Sequence, residues 1–270
     1  LLAKRASEYL SGHPFLLKEQ CHAKCLSGLA LLAAGNMEEA KKLAHAWNDL
    51  PRDGIWVWPV GYQCIFLSEY YLLSKDSSVL PTIQALATKL EAAQVEDMAN
   101  YLDRTHGKMG NVGHKFRTGG MGHNTNVGGY GTMTITTSLG LAAWELAKKC
   151  GATVDQKKVD LGFDYLRKST TETGYIGYHT HVGAYAPAGR QGLAAAAHKL
   201  AEDSQINRDY LQLVAGGLSR SKKYLNDAHA DSVLSVCWGL LGVNLTGNEQ
   251  AIREMMDYNK AWLNMARCHD

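Results

Sequence analysis

The amino-acid sequence predicts an all-α fold, because its apolar residues recur at helical spacing and strand signals are weak. Intervals of three and four residues place apolar side chains on one face of a helix. A chain of 270 residues is also long enough to bury a substantial core. The pattern predicts ten helical segments: 14–34, 37–48, 60–74, 79–93, 134–149, 154–168, 191–201, 208–225, 231–241 and 248–266.

These segments are of two kinds, which alternate along the chain. Inner segments are nearly uncharged and rich in small residues, as in CLSGLALLAAG, TTSLGLAAWELA, GLAAAAHKLA and SVLSVCWGLLG. Outer segments are charged and amphipathic, as in MEEAKKLAHAWNDL, VDQKKVDLGFDYLRKS and NEQAIREMMDYNKAWLNMA. A helix that is apolar all round is enclosed, whereas an amphipathic helix covers a core from outside. The sequence therefore predicts outer–inner helix pairs, recurring with polar turns such as AAGN, SKDS and KKCG between them.

Repeated helix pairs that close into a ring form an α/α toroid, and pairs that do not close form a solenoid. The alternating helices, with glycine and aromatic loops such as GYIGYHTHVGAYAPAGRQGLAAAAHKL, resemble the α/α-toroid superfamily. Terpenoid cyclases, protein prenyltransferases, (α/α)6 glycosidases and polysaccharide lyases share that architecture. The resemblance implies a single toroid domain over residues 1–270, as an incomplete or closed ring with long glycine-rich loops. Because the chain opens in mid-pattern without a methionine, we expect it to be a segment of a longer protein.

Composition excludes several classes of protein. The net charge is +2, and no long run interleaves Lys or Arg with aromatic residues, so we expect no nucleic-acid partner. Apolar runs are too short for a membrane span. The six cysteines show no CxxC spacing, which favours buried thiols.

Histidines are concentrated in the stretches that precede apolar helices. Loops held by a rigid frame carry most binding and catalytic groups, and histidine changes charge near neutral pH. This distribution predicts an enzyme site. His22, His45 and His198 instead lie within predicted helices, where structural or surface roles are expected. The loop histidines are His106, His114, His123, His179, His181 and His229.

The insertion 106–130, HGKMGNVGHKFRTGGMGHNTNVGGY, is rich in glycine, which lets backbone approach a ligand closely. It has no phosphate-loop pattern. We expect it to form a lid or a wall of the site, with His114, Arg117, His123 and Asn124 contacting substrate. A surface loop with incidental histidines is the alternative.

The stretch 175–190, YIGYHTHVGAYAPAGR, supplies a second cluster. In an extended segment His179 and His181 point to the same side, and Tyr178 is a third catalytic candidate. Tyr185 and Arg190 are expected to orient an anionic or hydroxylated substrate. The histidine pair also allows a divalent metal such as zinc, catalysis without a metal, or exposed imidazoles without a catalytic role. A metal needs a third ligand, for which the candidates are Asp231, His229 and His123.

Two further stretches carry candidate residues. In 226–231, NDAHAD, His229 beside Asp231 suits a general base with an orienting carboxylate, although Asp231 is also a natural helix N-cap. In 53–62, DGIWVWPVGY, Trp56 and Trp58 alternate in a predicted extended stretch before Pro59. They suit either a sugar-binding surface or core packing.

The sequence thus predicts a hydrolase whose histidine-rich site lies at the mouth of an α/α toroid. A glycan is the expected substrate, and an ester or phosphoester is the alternative. Two other functions remain open: a polysaccharide lyase that acts by β-elimination, and a non-enzymatic α-solenoid that binds a partner on its concave face.

Overall fold

A computed structural model describes residues 8, 10–11, 20–50, 57–97, 117–123, 131–179, 187–226 and 232–265. These residues form ten α-helices, two short 3-10 helices (Ser77–Val79 and Lys222–Tyr224) and isolated β-bridges, which confirms the all-α prediction. The helices are α1 Cys21–Ala33, α2 Met37–Ala46, α3 Val57–Ser74, α4 Leu80–Glu91, α5 Thr134–Lys149, α6 Gln156–Lys168, α7 Ala188–Leu200, α8 Gln205–Arg220, α9 Ser232–Leu245 and α10 Glu249–Met265.

Helices α3, α5 and α7 are enclosed, α1 and α9 are partly buried, and the even-numbered helices cover them. In α7 every residue from Ala188 to His198 is buried, whereas α6 buries only the stripe Val159, Gly162, Phe163, Tyr165 and Leu166. This difference follows from composition, because a helix with few charged residues is stable when surrounded, whereas an amphipathic helix needs a solvent-exposed face. The predicted alternation is confirmed for these helices.

The odd-numbered helices pack side by side in chain order. Helix α1 contacts α3, α3 contacts α5, α5 contacts α7, and α7 contacts α9. Helix α9 also reaches back to α3, because the Trp238 indole N–H donates to the Tyr62 hydroxyl over 3.1 Å. The core therefore lies among the odd-numbered helices.

The predicted polar turns end the enclosed helices and begin the covering ones. Four of these turns contain a residue with positive φ, which reverses the chain at low steric cost when it is glycine. A polar side chain then accepts a hydrogen bond from the backbone at the start of the next helix or 3-10 turn. The positive-φ residues are Gly35, Lys75, Gly151 and Gly247, and the capping residues are Asn36, Asp76, Asp155, Ser204 and Asn248.

Several predicted helix boundaries are wrong by three residues or more: α1 begins at Cys21 rather than at residue 14, and α8 ends at Arg220 rather than at residue 225. Helix α9 continues to Leu245, although the sequence predicts that it ends before Gly242. That glycine does not end the helix: a Cβ at Gly242 would lie only 2.1 Å from the Cα of Gly192, so the residue permits close packing. Helix α3 begins at Val57 rather than at residue 60. Within the described ranges, no helix combines the length and apolar character required to cross a bilayer.

Candidate functional site

The first turns of α3 and α5 donate backbone hydrogen bonds to loop residues. The N–H of Val57 donates to the His123 carbonyl oxygen over 2.7 Å, and the N–H of Thr134 donates to the Tyr178 carbonyl oxygen over 3.1 Å. The first N–H groups of a helix have no acceptor within that helix, so these carbonyls satisfy them. His123 and Tyr178 are thereby held at the N-terminal ends of two enclosed helices.

Residues 132 and 133 connect the segment that carries His123 to the segment that carries Tyr178 and His179. The N–H of Met133 donates to the Met121 carbonyl oxygen over 2.9 Å, and the carbonyl oxygen of the adjacent Thr132 lies 2.5 Å from the His179 Nδ1. His123 is two residues from Met121. The structure therefore brings the two predicted histidines His123 and His179 to the same end of the enclosed helices, on neighbouring segments.

His179 is held in one tautomer by its contact with Thr132. A carbonyl oxygen only accepts hydrogen bonds, so Nδ1 carries the proton and Nε2 holds the lone pair of the neutral ring. The Tyr178 ring meets the imidazole edge-on, with centroids 4.8 Å apart and planes at 87°. An imidazole oriented through Nδ1 with a basic Nε2 is the arrangement that a general base requires.

Arg190 meets the same tyrosine from the first turn of α7. The guanidinium carbon lies 5.4 Å from the Tyr178 ring centroid, and Nη1 lies 3.5 Å from the Ile176 carbonyl oxygen. The residue is only 9% exposed, and a charge buried to that extent needs such partners. Three predicted site residues, Tyr178, His179 and Arg190, thus form one contiguous group.

Arg117 lies beside this group. Its backbone N–H donates to the Thr132 hydroxyl over 3.2 Å. Burial raises the pKa of Tyr165 to about 12, and the positive charge of Arg117 is one of the weaker effects that oppose the rise. The structure therefore places Arg117 near Thr132 and within electrostatic range of Tyr165.

Trp58 and His123 form a second contact group at the same end. The Trp58 indole N–H donates to His123 Nδ1 over 2.8 Å, and the two ring centroids are 6.1 Å apart. The predicted extended conformation of Trp58 is wrong, because α3 begins at Val57 and Trp58 lies in its first turn. Pro59 is tolerated there because the N–H groups of a first turn have no partner within the helix.

Three residues that support these groups were not predicted from the sequence. Thr132 orients His179, and Tyr62 stacks on Trp58 with centroids 6.3 Å apart and planes at 18°. Trp238 in turn stacks on Tyr62. Tyr62 follows Trp58 by four residues, and this spacing on one helix face was a usable signal. The role of Thr132 had no such signal, since a backbone carbonyl carries no side-chain identity.

Seven predicted site residues lie outside the described residues, and their roles stay predictions. They are Trp56, His114, Asn124, His181, Tyr185, His229 and Asp231. The same is true of most of the glycine-rich insertion.

No three His, Cys, Asp or Glu residues within the described ranges are grouped so that they could hold a metal ion. His123, one proposed third ligand, already uses Nδ1 to accept the Trp58 N–H. Of the other proposed ligands, His181, His229 and Asp231 lie outside the described residues, so the zinc hypothesis stays a prediction.

The three helical histidines have the structural or surface environments that the sequence predicts. His198 is buried and stacks on Tyr210 with centroids 3.7 Å apart, and burial lowers its pKa to about 3. His45 is exposed and pairs with Asp76 over 2.7 Å, an interaction that lowers the pKa of that carboxyl. His22 lies against Tyr62.

Comparison with known proteins identifies a family but no activity. No curated protein and no solved structure matches the chain. Residues 4–270 match the model of a family described as a domain of unknown function, DUF6288. Since the match spans nearly the whole sequence, the chain belongs to the DUF6288 family.

Proposed function

We propose that this chain is a hydrolase built on an α/α toroid, with His179 as the general base. The toroid is supported by the alternation of enclosed and covering helices and by the hydrogen bond from Trp238 of α9 to Tyr62 of α3. That bond links α9 to α3, which lie far apart in the sequence and which a toroid would bring close together.

The observation that carries the function is the 2.5 Å contact between His179 Nδ1 and the Thr132 carbonyl oxygen. It fixes the tautomer in which Nε2 is the basic nitrogen, and in the proposed mechanism Nε2 takes a proton from a water molecule or a substrate hydroxyl. Tyr178 and Arg190 are the groups that would stabilise negative charge on the reacting centre, because one donates a hydrogen bond and the other is cationic.

The proposed substrate is a glycan, and the scissile bond is an ester or phosphoester on it. Glycosidases use a pair of carboxylates that flank the scissile bond. The described site is instead made of a histidine, a tyrosine and an arginine, which suits attack by an activated water on a carbonyl or phosphoryl centre. The partly exposed Trp58 supplies an aromatic surface at the same end.

The test is hydrolysis of acetylated xylan, p-nitrophenyl acetate and p-nitrophenyl phosphate by the wild type and by His179→Ala. We expect the variant to lose about a hundredfold or more in kcat, the usual contribution of a general base. His45→Ala is the matched control, because His45 lies on the covering helix α2 and is exposed; its turnover should equal that of the wild type. Hydrolysis by His179→Ala at the wild-type rate would refute the role of His179. Loss of activity on chelation would show that a metal contributes.

A polysaccharide lyase is the second candidate, and the contact between Arg190 and Tyr178 favours it. In β-elimination a tyrosine or histidine abstracts a proton while a cation neutralises the neighbouring carboxylate. Polygalacturonate and hyaluronan are the test substrates. Unsaturated products that absorb in the ultraviolet would identify a lyase and exclude hydrolysis. Turnover of neither substrate group, together with partner binding, would support the solenoid scaffold.

A further inference from the structure

A column of three aromatic side chains begins at the site and ends in the core. Trp58 stacks on Tyr62 at 18°, and Tyr62 stacks on Trp238 at 29°, with 6.3 Å between centroids in both pairs. Tyr62 and Trp238 are 1% and 3% exposed, whereas Trp58 keeps part of its surface accessible. The column is therefore rigid behind Trp58 and ends there in an accessible indole.

The orientation of this indole is set by His123. The indole nitrogen of Trp58 only donates, so the His123 Nδ1 that lies 2.8 Å away accepts with its lone pair and the neutral ring carries its proton on Nε2. The backbone of His123 is also tied to α3, because its carbonyl oxygen accepts the Val57 N–H. Two hydrogen bonds between the same segments leave the indole little freedom to rotate.

Surface packing does not require such an arrangement. A part-buried indole N–H needs an acceptor, but stability does not require that acceptor to be a histidine side chain from another segment, since a backbone carbonyl or a water molecule also serves. Fixing an aromatic ring before a ligand arrives does improve binding, because less conformational freedom is lost on association.

We propose that Trp58 is the stacking platform for a pyranose ring of the substrate and that His123 is the positioning residue for Trp58. The apolar C–H face of the sugar would lie on the indole. The His179 group lies on the neighbouring segment, so the platform would hold one sugar unit while the reaction occurs on another. This inference rests on the glycan specificity of the proposed function.

Binding is measured without turnover by affinity electrophoresis of the full chain. Native gels contain xylan, mannan, hydroxyethylcellulose, polygalacturonate or hyaluronan, and retardation reports the dissociation constant. We expect at least one polysaccharide to retard the wild type and Trp58→Ala to bind it at least tenfold more weakly. Trp58→Phe keeps a flat ring and should lose only a few-fold in affinity. His123→Ala should fall between these two variants.

Each control separates binding from folding or catalysis. Circular dichroism and urea unfolding must show that the variants are folded, and the conservative Trp58→Phe serves as the binding test if Trp58→Ala does not fold. Indole fluorescence should change between the wild type and His123→Ala, because the N–H loses its acceptor. A purely structural role of His123 at a distance would leave that signal unchanged.

The outcomes for this inference differ from those for the proposed function. His179→Ala should be retarded as strongly as the wild type, which shows binding independent of catalysis. Trp58-dependent binding without hydrolysis of any substrate would refute the hydrolase and keep the platform. Equal retardation of Trp58→Ala and wild type, or no retardation of the wild type in any gel, would overturn the platform.

Discussion

Helix α9 contacts α7 and α3 through side chains of very different size. Towards α7 its contact is glycine on glycine: a Cβ added at Gly192 would lie 1.9 Å from the Trp238 carbonyl oxygen, and one at Gly242 would lie 2.1 Å from the Gly192 Cα. Towards α3 the contact is made by the stacked rings of Trp238 and Tyr62. The distance between two helices is therefore set by the size of the side chains at their contact.

The two contacts differ in how a substitution can be absorbed. At the glycine contact the neighbour is backbone, which cannot rotate out of the way, so any added atom must push the helices apart. At the aromatic contact the neighbours are side chains, so the cost depends on hydrogen bonding and shape. Substitutions of Gly192 and Tyr62 test this contrast directly, and two further predictions concern His198 of α7 and Gly216 of α8.

The largest effect is expected for Gly192→Ala. The new Cβ would collide with the Trp238 carbonyl oxygen of α9, and we expect a loss of about 3 kcal/mol or more in the free energy of unfolding. Urea unfolding followed by circular dichroism measures it. A loss below about 1 kcal/mol would show that the two backbones are not in contact.

The contact of α7 with its covering helices α6 and α8 predicts that the folded protein loses stability in acid. His198 is buried against Tyr210 and Phe163, and burial lowers its pKa to about 3. The unfolded chain binds the proton below about pH 6.5, and the folded chain does so only near pH 3. This residue's contribution is therefore fully present above the unfolded pKa and falls by roughly 1 kcal/mol per pH unit below it.

The matched variant for the acid effect is His198→Phe, which keeps a ring against Tyr210 and removes the titration. Unfolding free energies between about pH 7 and about pH 5 should fall less steeply in this variant than in the wild type. Identical slopes in the two proteins would contradict the assignment.

Breaking the aromatic contact should have a smaller effect than the glycine substitution. Tyr62→Phe keeps the ring and removes the acceptor of the Trp238 N–H, which is buried and left unpaired. We expect a loss of about 1–3 kcal/mol. The control is Tyr70→Phe on the same helix, because the Tyr70 hydroxyl bonds the partly exposed Asp76, whose carboxylate keeps its hydrogen bonds to His45 and Ser78 when that hydroxyl is removed. Equal losses in both variants would argue against a buried, unpaired N–H.

The smallest effect, with the opposite sign, is expected for Gly216→Ala in α8. A Cβ there meets only the flexible end of Arg220, at 3.3 Å. Alanine favours a helix over glycine by up to about 1 kcal/mol, so the variant should be slightly more stable than the wild type. Thermal unfolding measures it, and a clear loss of stability would mean that Arg220 cannot move aside.

Local composition was enough to predict the helices and their alternation. Charged residues give segments such as MEEAKKLAHAWNDL a solvent-exposed face, and small apolar residues allow GLAAAAHKLA to be enclosed. The turns were predictable for the same reason, since the positive φ of Gly35 and Gly151 and the caps of Asn36 and Asp155 depend on nearest neighbours.

The site was predictable only as a set of candidate residues. Tyr178, His179 and Arg190 were selected by type and position, and the structure groups them around one tyrosine ring. That His179 is oriented by Thr132, across 47 positions of sequence, could not be predicted from spacing. Likewise, Gly242 looked like a helix end until its contact with Gly192 was known.

By itself, the sequence determined the secondary structure, the faces of the helices and the choice of candidate groups, because each depends on interactions within a few residues. The tertiary structure alone decided which backbones touch, which tautomer His179 adopts and which ring Trp58 rests on. Those features depend on atoms from distant segments, whose proximity is created only when the enclosed helices pack together.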